Sequence, residues 1–152
     1  MLDTATLGLN MSRHRTGDEF AELFPHLRDT FTVTFVAAFG PNAGRATAAD
    51  VLTYARHHWV RLRHRHDLAF HLFRLGRRMG RRHLDRLGDD PAAREFAALT
   101  IDERLAVILH RGVGWDFDQI AEITGMSVAS LHRHHDHGLA KLNPGMRNSD
   151  AA

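Results

Sequence analysis

The stretch from Asp116 to Leu142 constrains the fold more than any other part of the chain. Asp116 stands where a helix cap belongs, and Gln119 three residues on supplies the partner of a capping box. Ile120, Ala121 and Ile123 give the helix that follows an apolar face. Gly125-Met126-Ser127 then forms a turn, with glycine where the chain must leave the helix. Ser127 can cap a second helix, on which Val128, Leu131, Leu139 and Leu142 fall on one side. Two short helices joined by such a turn make a helix-turn-helix, a unit that can set its second helix in the major groove of DNA.

The rest of the chain also reads as helical. Residues 1–15 show no period and are expected to be a flexible leader. A short helix is expected from Asp18 to Phe24, with Pro25 in the first turn of the next. Leu27, Phe31, Phe35 and Phe39 recur every four residues and argue for a helix over 26–39, although Phe31, Val33 and Phe35 alternate with Thr as in a strand. No second strand is available, so helix is preferred, ending at Gly40-Pro41. Thr47 is expected to cap a helix running to about Leu62, with Asp50 near its positive end. Asp67 is a candidate cap for a two-faced helix from Leu68 to Leu87. Its apolar side carries Leu68, Leu72, Leu75, Gly76, Met79, Leu84 and Leu87, and Arg74, Arg77, Arg78, Arg81 and Arg82 gather opposite. Gly88-Asp89-Asp90-Pro91 is the strongest breaker and marks a domain boundary. A short linker helix over 92–98 and a second capping box, Thr100 to Glu103, precede a helix ended by Gly112 and Gly114. Trp59 is expected as an anchor between helices.

The fold class that follows is all-α, with two small helical domains joined by a linker, the C-terminal one a helix-turn-helix. The divisions are 1–15, 16–87, 88–98 as linker, 99–142, and a flexible tail over 143–152. With 152 residues the chain can bury one compact core or two small ones. It lacks cysteine, which excludes disulfides and thiolate metal sites. It has no apolar run long enough to span a bilayer and no basic-then-apolar start, so a cytoplasmic protein without membrane contact is expected.

Charge is unevenly spread. Residues 1–55 hold four Arg against six acids; residues 56–86 hold ten Arg against two Asp; residues 87–152 hold six bases against ten acids. A basic block between acidic flanks points to a polyanion contact at one place. Only Lys141 among the twenty basic residues is a lysine, so the arginine bias also fits a GC-rich genome.

The order of these pieces resembles the extracytoplasmic-function sigma factors of bacterial RNA polymerase, over roughly Phe20 to Leu142. The family's C-terminal pattern is matched by Arg104, Gly114, Phe117, Ile120-Ala121, Gly125 and Ser127. The last helix of its N-terminal domain is matched by Phe73, Arg74, Leu75, Gly76 and Arg77, then His83, Leu84 and Arg86. The sequence departs from the family at Ala49 and Thr53, where an acidic residue and Gln are usual. It departs again at Arg78 and Arg82, in place of Asn and Asp, and at His135 and His137.

The resemblance implies a sigma region 2-like domain over 16–87 and a region 4-like domain over 99–142. It also implies binding to core RNA polymerase and to promoter DNA, with an anti-sigma protein as a further partner by analogy. In the second helix of the helix-turn-helix, Ser130, Arg133, His134, His137 and Lys141 share a face for an upstream promoter element, with Ser127 at its N-terminus set toward a phosphate. For the downstream element the basic helix offers Phe70, His71, Arg74, Arg77, Arg78, Arg81 and Arg82. The arginines can neutralise phosphates, and Phe70 either stacks a base or packs under a neighbouring helix. Asp50, Thr53, Tyr54 and His57 fall in the stretch that would dock on a polymerase coiled coil.

Thirteen histidines include the run His132 to His137. His132 and Asp136 lie four apart, but zinc needs three or four ligands and no further one is specified. No metal and no cofactor are expected, although imidazoles facing one groove would make DNA affinity depend on pH. No phosphate loop, nucleophile elbow or spaced carboxylate pair is present, so the chain is not read as an enzyme. Two rivals to a bacterial sigma factor stay open. One is a degenerate sigma-like interaction protein that does not melt promoters; the other is a plain helix-turn-helix regulator.

Overall fold

A computed structural model describes the backbone of residues 4–88 and 90–143 and the side chains of residues 17–88 and 90–143. All regular elements among them are helical. In order they are α1 (Thr4–Phe39), α2 (Pro41–His57), α3 (Trp59–Leu62), α4 (Leu68–Leu87), a 3₁₀ helix (Pro91–Phe96), α5 (Ile101–Val107), a π-helical turn (Ile108–Val113), α6 (Phe117–Thr124) and α7 (Val128–Leu142). No helix among the described residues is long and apolar enough to cross a membrane. The expected tail lies, after Asn143, outside the described residues, as do residues 1–3 of the expected leader.

α1 departs from expectation in two ways. Its backbone is already helical at Thr4, and Pro25 lies inside it rather than at the start of a new helix. Proline removes one helical hydrogen bond and crowds the preceding turn. Here Pro25 and Ala21 are both exposed, so the carbonyl left without a donor faces water, while Phe20, Leu27 and Phe31 are buried around it. The four-residue row Leu27, Phe31, Phe35, Phe39 is the helical one that its spacing predicts, and all four side chains are buried.

Those phenylalanines organise the N-terminal half. Phe35 stacks between Phe31 at 5.8 Å and Phe39 at 6.4 Å, with Phe73 of α4 nearly parallel at 6.2 Å. α4 comes this close because Gly76 and Gly80 face the rings. A Cβ at either position would fall 2.0 Å from Phe35 and 2.1 Å from Phe39 respectively. Gly44 lets α2 approach the backbone of Val36 in the same way. Trp59 is buried with its ring 5.3 Å from Phe20, the anchoring role expected of it.

α2 begins at Pro41, not at Thr47. Gly40, with φ 85°, reverses the chain in a single residue, and a proline at the first helical position gives up only an N–H that has no helical partner. Thr47 is therefore buried within α2, its hydroxyl donating to the Ala43 carbonyl at 2.7 Å. Asp50 sits well past the first turn. Asp67 occupies the N-cap position of α4, but its carboxylate is held by Arg65 at 2.9 and 3.0 Å rather than by the helix.

Past Gly88, Asp90 ties the linker down. Its carboxylate accepts from Ala92 N at 3.0 Å and from Asn42 N at 3.3 Å. The linker helix is 3₁₀, over Pro91–Phe96. α4 then packs on α6, and α1 on α5. Phe35 and Phe73 share one continuous buried cluster with Leu105, Leu109, Ile120 and Leu131.

Candidate nucleic-acid interface

The C-terminal helices are set by their ends. Thr100 Oγ1 accepts from Glu103 N at 3.2 Å, while Glu103 accepts from Thr100 N at 3.0 Å, closing the expected capping box on α5. The last turn before Gly114 widens into a π turn, in which Trp115 N reaches the Leu109 carbonyl at 2.9 Å. Asp116 and Gln119 form the second box, with Gln119 N to Asp116 Oδ1 at 2.8 Å and Asp116 N to Gln119 Oε1 at 3.0 Å. Gly125 leaves α6 at φ 73°, and Ser127 Oγ accepts from Ser130 N at 3.1 Å to start α7. Ile120 and Leu131, both fully buried, lock the two helices together. Each part of the helix-turn-helix read from Asp116 to Ser127 is thus present.

Residues 92–142 match the family model for Sigma-70, region 4. The match covers the 3₁₀ helix and α5 to α7, about a third of the chain. No curated protein and no solved structure matches.

Within this region 4-like segment α7 buries Leu131, His135 and Gly138. A Cβ on Gly138 would lie 2.7 Å from Val107, which is how closely α7 sits on α5. Opposite that side, Ala129, Arg133, Asp136 and His137 are exposed, and Ser127 and Ser130 stand at the open N-terminal end. Val128, expected inward, is on the outside there. Two of the side chains proposed for DNA turn toward α5. Lys141 Nζ is 2.6 Å from Glu103 Oε1, and His134 Nε2 lies 4.0 Å from Asp102 Oδ2. Sequence reasoning did not name Ala129 and Asp136 for DNA, because Ala129 carries no polar group and the Asp136 carboxylate repels phosphate. Their position on the side of α7 turned away from the buried stripe was the available signal. Asp136 can accept from cytosine N4.

The histidines fall into two groups: His134 and His137 line one groove with Glu103 and Lys141, while His110, His132 and His135 gather around Phe117. His135 is buried, and its Nε2 accepts from Arg111 Nε at 3.2 Å, which leaves its proton on Nδ1 facing Asp136. His110 donates Nδ1–H to the Trp115 carbonyl at 2.8 Å and stacks on Phe117 at 4.1 Å. His132 lies against the same Phe117 ring at 4.2 Å. Among the described residues no three His, Asp or Glu side chains are grouped to hold a metal.

On α4, Arg74, Arg78, Arg81 and Arg82 are exposed. Arg74 lies over the Phe70 ring at 5.6 Å, and no described carboxylate is within ion-pair distance of Arg78, Arg81 or Arg82. Arg77 differs, with NH1 2.7 Å from Asp102 Oδ1 of α5. Phe70 is half-buried against the turn of the helix-turn-helix, so close that a Cβ on Gly125 would meet its ring at 2.3 Å. Burial, reinforced by the nearby Arg65, Arg74 and Arg78, holds His71 below the ordinary imidazole value despite Asp67.

On α2, Asp50 is exposed and receives His83 Nε2 of α4 at 2.6 Å. The Thr53 hydroxyl donates to the Ala49 carbonyl, Tyr54 packs on His58 at 4.4 Å, and His57 is exposed. The four therefore share one face of α2. A groove between α1 and α2, lined by Arg28, Thr32, Arg45, Thr53 and Arg56, was not anticipated, because its members come from two helices.

Proposed function

We propose that this chain is a cytoplasmic sigma factor of the extracytoplasmic-function type. It binds core RNA polymerase and directs it to particular promoters. The observation that carries this reading is the Sigma-70 region 4 match over a helix-turn-helix whose caps are complete and whose second helix exposes Arg133. In this mechanism Ser127 and Ser130 anchor the N-terminal end of α7 to a phosphate, and Arg133 reads a base of the upstream element. Arg74, Arg78, Arg81 and Arg82 neutralise phosphates at the downstream element as its strands part. The α2 face from Asp50 to His57 docks on the polymerase. Two weak contacts through one chain raise each other's effective concentration.

A second reading has its own support. Asp50 is engaged by His83, and Ala49, Thr53, Arg78 and Arg82 replace the family's usual residues. A sigma-like module that binds polymerase or another regulator without melting promoters would tolerate all of these. Transcription with purified core polymerase separates the two. New promoter-specific transcripts that need this protein are the expected result. Tight core binding without initiation gives the second reading, and palindromic DNA binding without polymerase affinity would mark a plain regulator.

A further inference from the structure

Cationic and aromatic side chains assigned above to two different DNA elements meet at one place. Asp102, in the first turn of α5, takes Arg77 of α4 on one carboxylate oxygen at 2.7 Å and has His134 of α7 4.0 Å from the other. Its neighbour Glu103 holds Lys141. A short way along the same seam, the ring of Phe70 covers Gly125, the residue on which the helix-turn-helix pivots. Phe70, Arg77, His134 and Lys141 are thus engaged within the chain, while Arg74, Arg78, Arg81, Arg82 and Arg133 remain open to solvent.

We infer that α5 and the α6–α7 turn form an internal docking surface for α4, in which Asp102 occupies the place of a DNA phosphate and closes the seam against nucleic acid. The inference rests on the DNA-binding reading above. The chemistry is that of exchange. A carboxylate and a phosphate offer a guanidinium the same pair of acceptor oxygens. The Arg77–Asp102 pair is about one-third exposed, so solvent and salt weaken it and a polyanion can displace it. Released, Arg77 joins the four open arginines of α4, Phe70 becomes free to stack, and Asp102 keeps His134 as a partner within the C-terminal segment. The closed form lowers apparent DNA affinity by the fraction of molecules it holds.

The test uses the full chain, which has no cysteine and so accepts a single pair of labels. Labels at Asp85→Cys on α4 and Glu122→Cys on α6, both exposed, report the seam by electron spin distance. The unsubstituted seam should give one narrow distance distribution. Asp102→Asn should broaden it and Asp102→Lys should shift it to longer distance. Glu95→Gln and Glu95→Lys, with the same charge changes on the exposed 3₁₀ helix, should not. Affinity for a mixed-sequence duplex at low salt should rise about two- to fivefold in Asp102→Asn over Glu95→Gln, the size of one partly exposed ion pair. A distance already broad before substitution, or unmoved in Asp102→Lys, overturns the seam. An opened seam with no gain over the Glu95 control overturns the competition with DNA. Failure of every protein to bind DNA, with the distances responding as stated, overturns the DNA reading and leaves only a structural seam.

Discussion

The two halves of this molecule hold their helices by different means. The region 4-like segment uses short helices, each begun by a side-chain cap: Thr100 on α5, Asp116 on α6, Ser127 on α7. In the N-terminal half α2 and α4 have no side-chain cap. They are held instead by depth of packing, with the Phe31–Phe35–Phe39 row running under Gly76 and Gly80. Caps are local and specify where a helix starts. A ring set against a glycine is non-local and specifies how close two helices come. The basic surface of α4 is thus set by packing, and the start of α7 by its cap.

The largest test of this contrast is Phe35→Ala. Phe35 is fully buried and touches three other aromatic rings or their rows, so truncation should cost about 3–5 kcal/mol in denaturant unfolding. Hydrogen exchange should quicken first in α1, α2 and α4. Equal quickening in α6 and α7 would show that the shared core, not the separate devices, governs both halves. Next in size is Gly76→Ala. Alanine favours a helix by up to about 1 kcal/mol over glycine, yet its methyl would lie 2.0 Å from the buried Phe35 ring. Overpacking should win, with a net loss of about 1–3 kcal/mol. A stabilised Gly76→Ala protein would show that α4 is not pressed on that row.

The same contrast explains what the sequence made legible. Both capping boxes, Gly125 and Ser127 were readable because each signal lies within four residues of its partner. The helix over 26–39 was readable from a four-residue period. The start of α2 was misplaced at Thr47 because the deciding feature is the backbone of Gly40, for which Thr47 offered a more familiar cap signal. Pro25 was read as a start because solvent on its side of α1 is not visible in the letters. The pairing of Arg77 with Asp102, and the cover of Phe70 over Gly125, join residues far apart in the chain, so no spacing rule reaches them.

Asp116→Ala should have a middling effect of about 1 kcal/mol, since it leaves the Gln119 N–H without its acceptor at the exposed start of α6. Its exchange signature should be confined to α6 and the turn before α7. Spread into α4 would mean that the turn transmits through Phe70, and the cap would then be less local than the contrast requires.

The smallest effect is electrostatic and sits between caps and packing. Burial works to raise the Glu103 carboxyl. Hydrogen bonds from Lys141 and from Thr100 outweigh it, and the group ends below its ordinary value of 4.5. A carboxyl lowered on folding contributes stability that is whole above the unfolded value and is lost as pH falls through the folded one. Lys141→Met removes the strongest of the lowering partners and leaves burial less opposed, so the acid limb of the stability curve should shift to higher pH. The loss near neutral pH should be only about 0.5–1 kcal/mol, because Lys141 itself is close to half exposed and water screens the pair. Unfolding followed from pH 3 to 7 in both proteins reads the difference. Superimposable acid limbs would mean that the Thr100 capping box alone holds Glu103 ionised, and that α7 rests on α5 through Gly138 and Leu131 without help from charge.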